Sequence, residues 1–198
     1  MNLSLEAHRH ERKTTQAAEG LPRRRFTVAE VEAMVAAGVM NEDERIELVG
    51  GELVPMSPKG NHYEVLKTKL IIEWAARLPA GVLFTPETTF RLSEDTYLEP
   101  DFTFYEASTG LKGLNGGTAL LVVEIADSSF AYDVGRKAKL YASFGIRELW
   151  VIHALRLETR VHRDPRNDGY QIVEDIAQTD KLIPLLLPDL SIRLADLA

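Results

Sequence analysis

The stretch Leu120-Leu121-Val122-Val123-Glu124-Ile125-Ala126 constrains this chain more than any other. Six of its seven residues are apolar, so it reads as a buried strand, and the one polar residue is a carboxylate. An unpaired ionised carboxylate in an apolar setting is very costly, so Glu124 must be protonated, paired with a cation or bound to a metal. Two partners lie within reach: Pro100-Asp101 on the strand-like segment before it, and Lys137 on the helix-like segment after it.

Length and composition set the frame for that question. With 198 residues, 45% hydrophobic and 27% charged, the chain fits an ordinary soluble domain with a sizeable core. We expect residues 1–22 to form a flexible arm and 23–198 a single domain. The absence of cysteine excludes disulfides, thiolate chemistry and cysteine-ligated zinc, and agrees with a reducing cytoplasm. No apolar run approaches the roughly 20 residues needed to cross a bilayer, and the polar start lacks a signal-peptide core, so a cytoplasmic protein without membrane contact is expected. A net charge of −7 argues against coating nucleic acid by bulk electrostatics, but not against a local site. Residues 1–25 carry six basic against three acidic side chains, which leaves the remainder near −10. The basic excess reads as a solvated tail before it reads as an arm for phosphates.

Along the chain, Thr27 and Glu30 form a capping-box signal for a helix striped by Val28, Val31, Met34 and Val35 and ended at Gly38. Residues 46–54 read as a hairpin around Gly50-Gly51. A helix follows from His62 to Leu78, with Val65, Leu66, Leu70, Ile71, Trp74 and Leu78 on its apolar side. Residues 82–85, 88–92 and 97–105 read as an antiparallel meander, in which Pro100 marks a bulge or an edge because it has no amide hydrogen to donate. After the loop 106–118 and the Glu124 strand, residues 133–144 read as a helix stopped by Gly145. A buried strand over 148–153, a hairpin turning at 164–169 and an extended apolar tail over 182–197 complete the pattern.

In the helix over 133–144, Lys137, Leu140, Tyr141 and Phe144 share one stripe, which points the lysine inward or along the sheet, while Lys139 faces solvent. On spacing alone Lys137 either snorkels from the head of the stripe or is a cation held near Glu124 and Asp101. Two carboxylates on adjacent strands are the minimum for a hard cation such as magnesium, which keeps several waters. Such an ion polarises a phosphoryl oxygen and acidifies a bound water, and a lysine offsets the developing charge. The alternative on chemistry alone is a Glu124–Lys137 ion pair with Asp101 as a turn residue.

Taken together, Phe26-Thr27, the segment Glu47 to Glu52, Met56-Ser57-Pro58, His62, Pro100-Asp101, Val-Val-Glu124-Ile, Asp133 through Lys137 to Tyr141, and Gly145 to Trp150 resemble the Uma-type restriction endonuclease family. That family belongs to the restriction-endonuclease-like PD-(D/E)XK superfamily. The resemblance spans about residues 24–197. It implies an α/β fold whose restriction-endonuclease-like core is a central mixed sheet flanked by helices, with an N-terminal helix and hairpin and a C-terminal β-hairpin extension. It also implies that Asp101 and Glu124 hold Mg2+ or Mn2+ and that Lys137 is the catalytic lysine. The superfamily's usual lysine position, two residues after the glutamate, is occupied by Ala126.

On this resemblance the expected function is a metal-dependent endonuclease cleaving DNA. The alternatives are a catalytically silent interaction or regulatory module that keeps the fold, and a metal-dependent hydrolase of a small phosphorylated substrate. His62, Glu64, Glu52 and Tyr141 are accessory candidates, the last with its hydroxyl near the site, while Glu47 reads as an exposed strand residue. His153 and His162 read as structural. A homodimer is expected on the ground that cutting both strands with one site per chain is easiest with a two-fold pair.

Overall fold

The computed structural model describes residues 23–41 and 43–197, so the arm expected over 1–22 lies outside the described residues. Helix α1 (Val28–Ala36) starts where the sequence signals it. Thr27 accepts the Glu30 amide, and the Glu30 carboxylate accepts the Thr27 amide. Strands β1 (Ile46–Val49) and β2 (Glu52–Pro55) form the hairpin expected around Gly50-Gly51. Both glycines have positive φ, 56° and 81°, as the tight turn requires. Helix α2 (Asn61–Arg77) buries Tyr63, Leu66, Leu70 and Trp74. Val65, expected on that stripe, is exposed, and Tyr63 heads the buried row instead.

The expected meander is divided between two sheets. Strands β4 (Phe90–Ser93) and β5 (Thr96–Leu98) join the first hairpin in a four-stranded antiparallel sheet of order β2-β1-β5-β4. Strands β3 (Val82–Pro86) and β6 (Phe102–Glu106) instead pair with each other and enter a larger sheet. Pro100 stands between β5 and β6, at the point where the chain leaves one sheet for the other. A residue with no amide hydrogen cannot carry a ladder through that position, which is why one continuous strand over 97–105 does not form.

The six-stranded sheet continues with β7 (Ala119–Ala126), β8 (Glu148–His153), β9 (Thr159–Arg166) and β10 (Gly169–Ile176), in the order β10-β9-β8-β7-β6-β3. Only β7 and β8 run parallel, so the sheet is mixed. Their crossover carries helix α3 over 130–143, built from Phe130–Tyr132, a π turn at Asp133–Lys137 and Ala138–Ser143. The helix therefore begins three residues earlier than its apolar stripe suggests. The π turn shows in the Ala138 amide, which donates to the Asp133 carbonyl five residues back.

Alternation along β7 explains its near-continuous hydrophobicity. Leu121, Val123 and Ile125 pack with Phe102, Phe104, Trp150 and Ile152 beneath α2. The C-terminal residues Leu182, Leu187, Leu190, Ile192 and Leu194 close the same cluster, partly through the short pair β11 (Lys181–Leu182) and β12 (Ile192–Arg193). Trp74 sits edge-on to Phe102 and Phe104 at 5.1 and 5.2 Å, contacts worth about 0.5–1.5 kcal/mol each beyond burial. Val122 and Ala126 point to the opposite face, where Leu149, Val151, Ala138, Tyr141 and Ile146 pack. Glu124 belongs to that second face, and so it looks toward α3. Among the described residues no helix is long and apolar enough to cross a membrane.

Candidate active site

Strand register brings the first two acidic groups together. Phe102 lies opposite Val123 in the antiparallel β6–β7 pair, so continuing one step places Asp101 opposite Glu124. The side chain confirms that proximity, because Asp101 Oδ2 accepts the Ile125 amide at 2.6 Å. Asp101 Oδ1 accepts the hydroxyl of Tyr63, which reaches it from the first turn of α2. Glu124 is 5% exposed, and its Oε1 accepts the Tyr141 hydroxyl at 2.6 Å. The same oxygen lies 2.9 Å from Lys137 Nζ. Each carboxylate is therefore aimed by one tyrosine, and no described group donates to Glu124 Oε2.

Lys137 is buried at the end of the π turn and also donates to Glu47 Oε1 at 2.7 Å. Glu47 comes from β1 of the other sheet and is 4% exposed, so it is no surface residue as the sequence suggested. Its Oε1 also accepts the Glu99 amide at 3.0 Å, immediately before Pro100. Asp133, one turn before Lys137, is buried as well. Asp101, Glu124, Lys137, Glu47, Asp133 and Tyr63 all line one cavity of about 380 Å³. It opens at the C-terminal end of β7, with Arg45 and Lys59 among its other lining residues. Ligands of open α/β sheets characteristically bind outside the carboxyl ends of strands.

The electrostatics follow from sinking four carboxylates around one ammonium. Burial raises the proton affinity of Glu124 to a pKa of about 8, and Lys137 only partly offsets it. Burial also raises Asp101, against the hydrogen bonds from Tyr63 and Ile125, and raises Asp133, against Lys137. For Lys137 burial alone would lower the pKa, but the fields of Glu124, Glu47 and Asp133 outweigh it and the net shift is upward. The ammonium consequently stays charged at neutral pH. Lys59, pulled down to about 8 by burial against the field of Asp101, is a weaker cation on the cavity wall.

The surplus of acid is what a divalent cation would neutralise. Asp101 and Glu124 present hard oxygen donors from adjacent strands, and Glu124 Oε2 is unengaged. No three acidic or histidine side chains among the described residues converge as a ligand set. The pair thus fits an ion that retains much of its water shell, as magnesium does, better than one requiring a full protein cage.

The accessory residues separate sharply. Tyr141 stands at Glu124. His62 is exposed in the first turn of α2 and Glu64 points outward to Lys67 at 3.0 Å; neither lines the cavity. The inward position in that turn belongs to Tyr63, because 63, 66, 70 and 74 form the buried row. Glu52 lies beyond the Gly50-Gly51 turn, exposed and 3.4 Å from Arg23. His162 is buried within strand β9 with its pKa lowered to about 4 by burial, and His153 packs against Phe130; neither lines the cavity.

Glu47 and Tyr63 are the residues that sequence reasoning missed, and both left a signal. Glu47 interrupts Ile46-Glu47-Leu48-Val49 just as Glu124 interrupts β7, and the same cost of burying a lone carboxylate applies. Tyr63 heads a helical stripe in the way Lys137 does.

A family model described as "Uma2: Putative restriction endonuclease" matches residues 28–195. The fold is similar to a crystal structure from Anabaena variabilis, described as "a putative nuclease belonging to DUF820", with a TM-score of 0.68 and 15% identity. That similarity covers 87% of this chain and 97% of the other, and at such identity it speaks for the fold alone. The type IIG restriction endonuclease BpuSI matches 60% of this chain and 14% of its own length at 15% identity, with a TM-score of 0.41, and nothing further rests on it. No curated protein matches the sequence.

Proposed function

The chain belongs to the Uma2 family, and from that membership and the chemistry of the cavity we propose that it is a Mg2+- or Mn2+-dependent endonuclease hydrolysing phosphodiester bonds of DNA. One observation carries the reading: Asp101, Glu124 and Lys137, from two strands and a crossover helix, line a single cavity. A silent scaffold has no need to bury this surplus of negative charge around one lysine, since unpaired buried carboxylates lower stability.

In the proposed reaction Asp101 and Glu124 would hold the cation, whose chemistry there would be to polarise the phosphoryl group and acidify a water. Tyr63 and Tyr141 fix the two carboxylates through their hydroxyls, and the Ile125 amide fixes Asp101 from the neighbouring strand. Because the Lys137 pKa is raised, its role is electrostatic. It offsets negative charge developing on the phosphoryl oxygens and orients the attacking water; it does not take the water's proton. Asp101→Asn keeps the shape and one acceptor oxygen, which can take the Ile125 amide while the new NH2 donates to the Tyr63 hydroxyl oxygen, and it removes the charge. We expect it to bind Mn2+ weakly and to lose cleavage of duplex and single-stranded DNA while remaining folded by circular dichroism. Cleavage at the wild-type rate by that variant would overturn the assignment. Hydrolysis of small phosphodiesters without any of DNA would move the reading to a small-substrate hydrolase.

A further inference from the structure

We infer that Glu47 is a positioning residue that holds the Lys137 ammonium at the reaction centre, so that the four-stranded sheet completes the active site. The inference rests on the proposed phosphodiesterase reading. Lys137 Nζ contacts two carboxylates, Glu47 Oε1 at 2.7 Å and Glu124 Oε1 at 2.9 Å, and both ion pairs are almost fully buried. The two anchors are not equivalent. Glu124 is a proposed ligand, and a divalent cation placed there repels the ammonium and takes over the electron density that held it. Glu47 contributes from a different sheet and is not one of the two proposed ligands. It is itself fixed, because the Glu99 amide donates to the same oxygen.

This arrangement answers a problem posed by the sequence. Ala126 leaves the strand without a lysine, and one rooted on α3 has a long, flexible stem to control. Glu47 supplies that control from outside the sheet carrying the two proposed ligands. The register β1–β5 and the link through Glu99-Pro100-Asp101 make the same backbone that positions Glu47 deliver Asp101.

A double-mutant cycle on the full chain tests the inference, with Glu47→Gln, Lys137→Met and the double variant compared to wild type. Two quantities are measured: kcat for oligonucleotide cleavage, and the Kd for Mn2+ alone by calorimetry. Glu47→Gln retains an acceptor for the Glu99 amide but loses the charge. We expect it to lower kcat about tenfold and raise the Mn2+ Kd about threefold, because the freed ammonium then competes fully for Glu124. In the Lys137→Met background the same substitution should change the Mn2+ Kd by about twofold at most. Equal factors in the two backgrounds would show a merely structural Glu47 and overturn the inference. Circular dichroism checks that each variant folds, and Glu47→Asp, which keeps the charge on a shorter stem, provides a second arm. Its kcat should fall while its Mn2+ Kd stays near wild type; loss of neither would also count against the inference. A wild-type protein that neither binds Mn2+ nor cleaves DNA defeats the phosphodiesterase reading and the inference with it. A wild type that does both, with an additive cycle, defeats the inference alone.

Discussion

Replacing Glu124 by glutamine should change how stability depends on pH, and the structure sets the size and sign. Burial lifts this carboxyl from its ordinary 4.5 to about 8. The folded state thus binds the proton more tightly than the unfolded one. Its stabilising contribution is complete below pH 4.5 and is lost as pH rises to about 8. At about 1.4 kcal/mol per pH unit, the loss is on the order of 5 kcal/mol, a large part of the stability of a typical domain. The glutamine side chain mimics the protonated acid: it accepts from the Tyr141 hydroxyl but does not titrate. Urea unfolding in a chelator at intervals from about pH 5 to about pH 9 isolates the group. The variant should gain several kcal/mol on wild type as pH rises, and the difference should level off above about pH 8. Mn2+ or Mg2+ at about pH 8 should narrow the gap by stabilising the ionised wild type alone. Curves that run parallel across the whole range, within about 1 kcal/mol of extrapolation error, would refute the claim that burial of Glu124 outweighs the field of Lys137.

Removing the cation acts in the opposite direction. Lys137→Met strands Glu47 and Glu124 without their common partner, so we expect a loss of about 3–5 kcal/mol at about pH 8 that shrinks toward about pH 5 as the Glu124 carboxyl takes up its proton, measured by the same unfolding assay. His62→Ala, Glu64→Gln and Glu52→Gln alter exposed side chains outside the cavity. Each should leave kcat and the Mn2+ Kd within about twofold and stability within about 0.5 kcal/mol; a tenfold fall in kcat for any of them would mean that the site extends beyond this cavity.

What was legible in the sequence was whatever depends on local chemistry. The Thr27–Glu30 capping box, the Gly50-Gly51 turn and the Glu124 strand each announce themselves within a few residues, and each forms as read. Sheet membership was not legible, because it is decided by long-range pairing. Residues 90–98 alternate like any other strands, and nothing local says that they pair with β1 and not with β6. The site divides the same way. Asp101 and Glu124 follow from the pairing of neighbouring strands, and Lys137 from the stripe it shares with Tyr141. Glu47 is 90 residues from the lysine it touches and lies in the other sheet, so its role could not be placed before the sheets were. Its burial could have been, since Ile46-Glu47-Leu48 raises the question that Glu124 raises in β7.

The two answers prove to be one. Each glutamate, costly to bury alone, is answered by the same ammonium, and neither strand carries that ammonium itself. On the proposed reading, Lys137 on α3 stands in for the lysine that position 126 lacks, and there it touches a second anion. A cation held by two carboxylates would stay in place when one of them turned to a metal ion.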